Sequence, residues 1–289
     1  MADAANVEDL QPGDHACLTF SDSEERLDLV AAFVRDGLRL GQKVLCWTDA
    51  ISEGVLRTEL TERGLPLAEA TDAGRMSVAG SAESFLSGGS FGSARMISTL
   101  SQHIERARRE GYQGLRITSD MCWALRPVAG VEELMAYESR MTQLLADGQA
   151  TAVCQYDRQC FDTVTLAGVA ANHPLAVAAV TYHADVLLRI CRQYLPSGIR
   201  VAGEIDYRGI EPLSRALSEA LALDRHVHVN LTQLRFIDGA AAGTILRTAG
   251  SMAPGQRMTV RCRPQIARVL SALGADEVAD LYLVISDDD

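Results

Sequence analysis

In the segment HACLTF, His15 and Cys17 stand two residues apart. On an extended strand that spacing turns both side chains to one face and sets a base beside a thiol. A cysteine nucleophile also needs its histidine oriented and an oxyanion site nearby, and neither is visible around them, so catalysis is not expected. His226 and His228 in HVHVNL repeat the spacing and make a conceivable metal pair. No carboxylate or cysteine completes it in sequence, so the two are read as ordinary strand residues and no metal is expected. Cys154 and Cys160 are read as small buried apolar residues rather than redox partners.

Three stretches bear on phosphate chemistry. HACLTFSDSEERLDLVAAFV has the strand, turn and helix order of a phosphate-binding loop, but its turn carries Asp22, Glu24 and Glu25 with neither glycine nor lysine. Those carboxylates repel phosphate, so nucleotide binding in that manner is not expected and no cofactor is implied. LRITSD ends in Asp120, where such folds place a magnesium-holding carboxylate. In LTQLRFIDGAAAGTIL a strand turns at Ile237-Asp238-Gly239 into a helix that opens on alanines. A helix start exposes backbone N–H groups and a positive dipole end suited to phosphate or to a partner's acidic group.

The elements that must position these residues follow from the apolar pattern. Strands are expected at 15–20, 43–47, 76–80, 115–118 and 151–156, with helices near 21–40, 52–63, 93–110 and 131–146 between them. Ser21 and Glu24 have capping-box spacing at the first helix, and Gly41 ends it. This order predicts an α/β domain with a doubly wound, mostly parallel sheet and a degenerate phosphate loop. The segment 81–93, rich in serine and glycine, reads as a mobile loop. From residue 185 a second cycle runs in ββαβαβαβ order and predicts a separate, smaller α/β domain. The expected boundaries are 10–175, a linker over 176–184, and 185–286.

Composition sets the remaining bounds. Of 289 residues 47% are hydrophobic and 22% charged, as in a folded globular chain, and the formal charge of −11 disfavours nucleic acid and anionic membrane surfaces. Three aspartates, Asp287 to Asp289, close the chain. The N-terminal stretch has neither a basic start nor an apolar run, and Leu166 to Val180 is interrupted by Asn172, His173 and Pro174, so a cytoplasmic location is expected. Seven cysteines without a CxxC pair fit reduced thiols better than a disulfide framework.

The C-terminal blocks GEIDYRGIEPLSRAL, VHVNLTQLRFIDGAAAGTIL and RPQIARVLSALGADEVADLYLV resemble a STAS domain, the fold of bacterial anti-sigma-factor antagonists. The resemblance implies a partner, an anti-sigma factor or related kinase-like regulator, that meets the helix start at Asp238, Gly239, Ala240 and Gly243. In that family a serine follows the aspartate and is phosphorylated by the partner. Gly239 stands at that position, so the switch cannot operate there, and Asn230 stands where an acidic residue is common. Thr232 and Thr244 are the nearest hydroxyls, and substitute phosphorylation is not expected.

The N-terminal blocks GDHACLTF, EGYQGLRITSDMCWALRP, YESR, CQYDRQCF and NHP resemble the MEDS domain, a sensory domain related to KaiC and RecA-like folds. The resemblance implies a small organic ligand held by His15, Asp120, Trp123, Glu138, Tyr156, Asp157 and His173. Taken singly, Trp123 and Tyr156 also fit core packing, and Glu138 and Asp157 fit ion pairs with Arg140 or Arg158. As a set they fit a pocket at the carboxyl edge of the sheet, with His15, at a strand's amino end, the least well placed. The combined expectation is a non-enzymatic signalling protein of sensory and output domains. A nucleotide-responsive RecA-like protein and a self-associating STAS scaffold, hence a homo-oligomer, are the alternatives.

Overall fold

A computed structural model describes residues 4–286, so the three closing aspartates lie outside the described residues. The chain divides into two compact units, one running to Ala178 and the other starting at Ala179.

The first unit is built on β1 (His15–Phe20), α1 (Ser23–Arg39), β2 (Lys43–Thr48), α2 (Glu53–Glu62), α3 (Leu67–Asp72), β3 (Met76–Gly80), α4 (Ser93–Arg109), β4 (Leu115–Asp120), α5 (Leu134–Leu145), β5 (Ala150–Asp157), α6 (Thr163–Asn172) and β6 (Leu175–Val177). The six strands form one sheet in the order β3-β2-β4-β5-β1-β6, every neighbouring pair parallel. Helices α1 to α3 cover one face and α4 to α6 the other. Strands covered on both sides are buried at nearly every position, so the polar residues they carry, such as Arg116 and Gln155, must find partners inside.

On the α4–α6 face, Leu45, Leu115, Ile117 and Ala152 of the sheet pack with Met96, Leu100 and Ile104 of α4 and with Tyr137, Met141 and Leu145 of α5. The α1 face buries Leu27, Val30, Ala31 and Val34. Its cap differs from the expected box: Asp22, not Ser21, is the N-cap and accepts from the Glu25 N–H at 2.9 Å. The segment 81–93 is irregular but tied down. Leu86 and Phe91 are buried, and the Phe91 N–H donates to the Ala129 carbonyl at 2.8 Å.

The second unit comprises β7 (Thr181–Ala184), β8 (Leu188–Tyr194), β9 (Ser197–Ile205), α7 (Ile210–Leu223), β10 (His226–Leu231), β11 (Leu234–Ile237), α8 (Gly239–Gly250), β12 (Arg257–Cys262), α9 (Pro264–Ala272) and β13 (Leu281–Ile285). Its mixed sheet runs β13-β12-β10-β9-β8-β7, with β11 added alongside β9. The pairs β7·β8 and β8·β9 are antiparallel and the others parallel. Leu213, Ala216, Leu217 and Ala220 of α7, with Ala241, Ala242 and Ile245 of α8, bury against it. The stretch expected to link two domains is structured instead: β6 reaches into 176–177 and pairs with β1, and β7 occupies 181–184 and pairs with β8. Among the described residues no helix is long and apolar enough to cross a membrane.

Gly203 is the point at which β9 must accept β8 and β11 together. Its φ is +97°, and a Cβ there would lie 1.9 Å from the Leu187 carbonyl oxygen. Gly203→Ala therefore meets backbone that cannot rotate aside, and is expected to cost at least ~1–3 kcal/mol of the second unit's stability. Gly239→Ala, with open space around it, should change stability little. Urea unfolding of the two variants checks the contrast.

Candidate functional site

Glu138 sits mid-way along α5 with no exposure to solvent. Four side chains from three separate elements converge on its carboxylate. His15, the first residue of β1, places Nε2 3.3 Å from Glu138 Oε2, and His173 places its Nε2 3.4 Å from the same oxygen. Cys154 of β5 lies with Sγ 3.7 Å from Oε2 and 3.5 Å from His15 Nε2. The Tyr156 hydroxyl, two residues further along β5, donates to the other oxygen, Oε1. His15, Cys154, Tyr156 and His173 are all buried.

Local sequence explains each placement. In the parallel register of β1 and β5, His15 lies opposite Ala152, so His15, Cys154 and Tyr156 share the face that packs on α5. His173 closes α6 as its C-cap, and Pro174 keeps it extended at φ −104° and ψ 125°. The two imidazoles lie against each other, ring centroids 4.1 Å apart. Their other nitrogens are also held. His173 Nδ1 lies 2.9 Å from the Val169 carbonyl oxygen, and His15 Nδ1 lies 2.8 Å from Thr142 Oγ1. The nearest donor-type atoms of His15, Glu138, Cys154 and His173 all fall within 4.8 Å of one another.

Burial pushes the Glu138 pKa up, but the hydrogen bond to His15 and the neighbouring His173 outweigh it and hold the carboxyl below its usual range. Burial, more than any charge, pushes the His173 imidazole down, while Cys154 and Tyr156 are pushed well up by burial and then by Glu138.

The other expected residues lie elsewhere. Asp120 faces the α1 side, where Oδ2 accepts from Arg26 Nη2 at 2.7 Å and the Ala50 N–H at 2.9 Å, and Oδ1 accepts from the Cys122 N–H at 3.0 Å. Arg26 continues to Gln155 Oε1 at 2.6 Å, and Gln155 donates to Thr118 Oγ1 at 2.7 Å. Trp123 is buried against Phe91, at 4.5 Å between ring centroids, and against Phe85, at 5.6 Å. Its Nε1 finds no hydrogen-bond partner among the described residues. Asp157 accepts from the Gln159 N–H at 2.8 Å and shapes the turn after β5.

The seven positions thus do not form one pocket at the carboxyl edge. Four gather between the sheet and α5, with His15 central rather than marginal. The ion pairs expected for Glu138 and Asp157 are not made: Arg140 donates to Ser93 Oγ and Arg158 to Thr19 Oγ1. Cys154, read as a small apolar residue, and Thr142, not singled out, belong to the cluster. Beside Phe85 the structure has a cavity of about 270 Å³ lined by Ser84, Phe85, Ser87, Gly88, Arg95 and Met96.

In the second unit, Asp238 caps α8, its Oδ1 accepting from the Ala241 N–H at 2.8 Å. Gly239 and Ala240 are exposed, and nothing lies within 4 Å of where a Gly239 Cβ would be. Gly243 is half-buried against Arg247. Thr244 is buried and donates to the Ala240 carbonyl at 2.9 Å, and Thr232 is buried and donates to Asn230 Oδ1 at 2.7 Å. His226 and His228 stack at 4.3 Å between ring centroids, and among the described residues no third ligand-type side chain joins them.

The model of the MEDS family, the methanogen/methylotroph DcmR sensory domain, matches residues 14–174, more than half of the chain. The chain belongs to the MEDS family. A second family model, described as Mlab, STAS domain, matches residues 193–285, so a MEDS unit is followed by a STAS unit. No curated protein matches the sequence. Among solved structures, a KaiC-like protein from the hyperthermophilic archaeon Pyrococcus horikoshii is similar at 11% identity and a TM-score of 0.46, covering 66% of this chain and 79% of its own. An anti-sigma factor antagonist from Mycobacterium paratuberculosis is similar at 19% identity and a TM-score of 0.28, covering 36% of this chain and 84% of its own.

The Arg26–Asp120 pair in the MEDS unit gives a test of the buried electrostatics. Burial raises the Asp120 value, but Arg26 and the two backbone donors bring it below the ordinary 3.8. The unfolded chain then binds that proton more readily. The stabilisation is full above pH 3.8 and is lost as pH falls through the lower folded value. Arg26→Met strands a buried carboxylate and is expected to cost about 3–5 kcal/mol at neutral pH. Adding Asp120→Asn should return most of that stability. Urea unfolding of the single and double variants measures both, and a loss that persists in the double variant would contradict the electrostatic account.

Proposed function

We propose that this chain is a non-enzymatic signalling protein in which the MEDS unit takes a small organic ligand and the STAS unit docks an anti-sigma factor or related kinase-like regulator. The observation that carries the reading is the start of α8. Asp238 is already engaged as its cap, while Gly239 and Ala240 present an exposed, sterically open surface with no hydroxyl. The hydroxyls nearby do not substitute, since Thr232 and Thr244 are buried and engaged in hydrogen bonds. A phosphate at this helix start would add close to two negative charges beside Asp238 and repel an acidic or close-packed partner. With glycine there, the contact surface keeps one charge state, and control passes to the MEDS unit. Its ligand must bind two states of the protein with different affinities to exert that control. The cavity beside Phe85, where Ser84, Ser87 and Arg95 stand beside Phe85 and Met96, supports a small ligand with polar as well as apolar groups.

Affinity capture from the native cell tests the docking surface. Wild type and Gly239→Ser are expected to recover a kinase-like regulator, and Gly239→Asp to recover less of it. Capture of no such regulator by any of the three would remove the partner-docking reading, and recovery only of further copies of the chain would favour a self-associating scaffold.

The nucleotide-responsive alternative is opposed by the residues at the β1–α1 turn and beside it. Asp22 caps α1, and Asp120, where a magnesium ligand would stand, is held by Arg26. Calorimetric titration of the full chain with ATP and magnesium is expected to show no binding heat, and a saturable signal would revive that alternative.

A further inference from the structure

Among the described residues, the cluster around Glu138 leaves an electrostatic question that its hydrogen bonds do not answer. Thr142 Oγ1 has the Glu138 and Asn172 carbonyl oxygens at 3.3 and 3.1 Å, and directs its proton to one of them. It can therefore accept from His15 Nδ1. The Val169 carbonyl can only accept, and does so from His173 Nδ1. When neutral, both imidazoles carry their proton on Nδ1, which leaves two Nε2 lone pairs directed at Glu138 Oε2, and His15 can donate to Glu138 only by holding a second proton. His173 Nε2 is buried and has no hydrogen-bond partner. Tyr156 occupies only Oε1. Two lone pairs and a carboxylate oxygen facing one another in a sealed site repel unless something positive lies among them.

We propose that the site is a closed, four-coordinate centre for a divalent transition metal of the zinc class, ligated by His15 Nε2, His173 Nε2, Glu138 Oε2 and Cys154 Sγ. Four of the six donor spacings match those of a tetrahedral site, and the His173 spacings to His15 and Cys154 fall within 4.8 Å. A tetrahedron with metal–ligand bonds of ~2.0–2.3 Å has edges of roughly 3.3–3.8 Å. The structure gives 3.3 Å for His15 to Glu138, 3.4 Å for His173 to Glu138, 3.5 Å for His15 to Cys154 and 3.7 Å for Cys154 to Glu138.

The mixed nitrogen, sulfur and oxygen set suits zinc and its borderline neighbours and does not suit magnesium or calcium, which take oxygen. On binding, the Cys154 sulfur–hydrogen bond breaks, the sulfur–metal bond forms and the proton leaves to solvent. One thiolate, one carboxylate and two neutral imidazoles then balance the dication, so the buried complex carries no net charge. Thr142 and Val169 act as positioning groups that fix the tautomer of each histidine.

With all four positions filled by protein and no access to solvent, the centre is structural rather than hydrolytic. It ties β1, α5, β5 and the end of α6, which lie up to 158 positions apart in the chain, counting from His15 to His173. This inference does not depend on the docking surface of the STAS unit, and capture experiments leave it untouched.

The test uses the full chain, unfolded with chelator, refolded and dialysed against Zn2+ or Co2+. One equivalent of metal per chain is expected. The Co2+ form should show tetrahedral d–d bands together with thiolate-to-metal charge-transfer absorption, and Zn2+ should raise the thermal midpoint of the MEDS unit over the chelated protein. Cys154→Ser should lose the charge-transfer absorption. Thr142→Val should keep the tetrahedral spectrum but bind Zn2+ about 10–100-fold more weakly. Should Cys154→Ser fail to fold, the wild-type Co2+ spectrum still decides. Refolded wild type that retains no metal, or that binds Co2+ without thiolate absorption, overturns the proposal. The first result would mean that a proton shared by the histidines and Glu138 fills the cluster.

Discussion

Glu138 is a carboxylate shut away from water in the middle of a helix, and the MEDS unit is arranged around that fact. An isolated buried charge of this kind is costly enough that its surroundings must supply compensation or the group must give up its charge. Here the compensation comes from two strands and from the residue that ends the next helix. It also fixes register. β1 and β5 are buried on both faces, so apolar alternation cannot say which of their residues lie opposite each other. A slip of one residue would turn His15 toward α1 and away from Glu138. The polar cluster makes that slip expensive, which no exchange among Ala16, Leu18 and Val153 would do.

The opposite face of the same strands is marked in a parallel way. Gln155, between Cys154 and Tyr156 on β5, points to α1 and joins Arg26, Asp120 and Thr118. Arg116 on β4 also enters that layer, with Nε donating to Gln42 Oε1 at 2.7 Å and Nη1 to the Phe33 carbonyl at 3.0 Å. Each covered face therefore holds a polar network within an apolar layer. Asp120 makes sense in this light. In a nucleotide-binding relative of such a fold the carboxylate would face a metal and phosphates, whereas here an arginine of α1 supplies the positive charge from within the chain.

These networks also show which parts of the molecule a sequence can disclose. β1 stands out as a mostly apolar run buried on both faces, and β10 and β12 by their alternation of buried and more exposed residues. Short elements do not. β6 and β7 have three and four residues, and the stretch they occupy reads as a linker. β11 merges with β10 because only two residues separate them. At the site, Glu138 and His173 were reached through family resemblance, since a lone acid on an amphipathic helix and a histidine before proline carry no signal of their own. Cys154 escaped because a cysteine in a buried strand looks like any small apolar residue until register places it beside His15. One constraint was open to reading in advance. Tyr156 and Asp157 are adjacent on a strand, so they cannot both face one pocket.

If the STAS unit docks a partner as proposed, Gly239 at the start of α8 offers no hydroxyl to modify, which shifts the source of control and also limits its size. A modified serine would alter the charge of the contact itself. Without it, any change in partner binding has to be generated by a ligand's preference between two states of the chain. Inverting a 1:99 population to 99:1 requires a preference of about 5.5 kcal/mol. The best very small ligands gain at most ~1.5 kcal/mol per heavy atom in total binding, and only part of that distinguishes two conformations. A cavity of about 270 Å³ admits a compact organic molecule. If half of such a ligand's best contacts were state-selective, roughly seven heavy atoms would be needed for full inversion. A smaller molecule in the MEDS unit would give a graded change in partner occupancy, and an all-or-none response would need several units acting together.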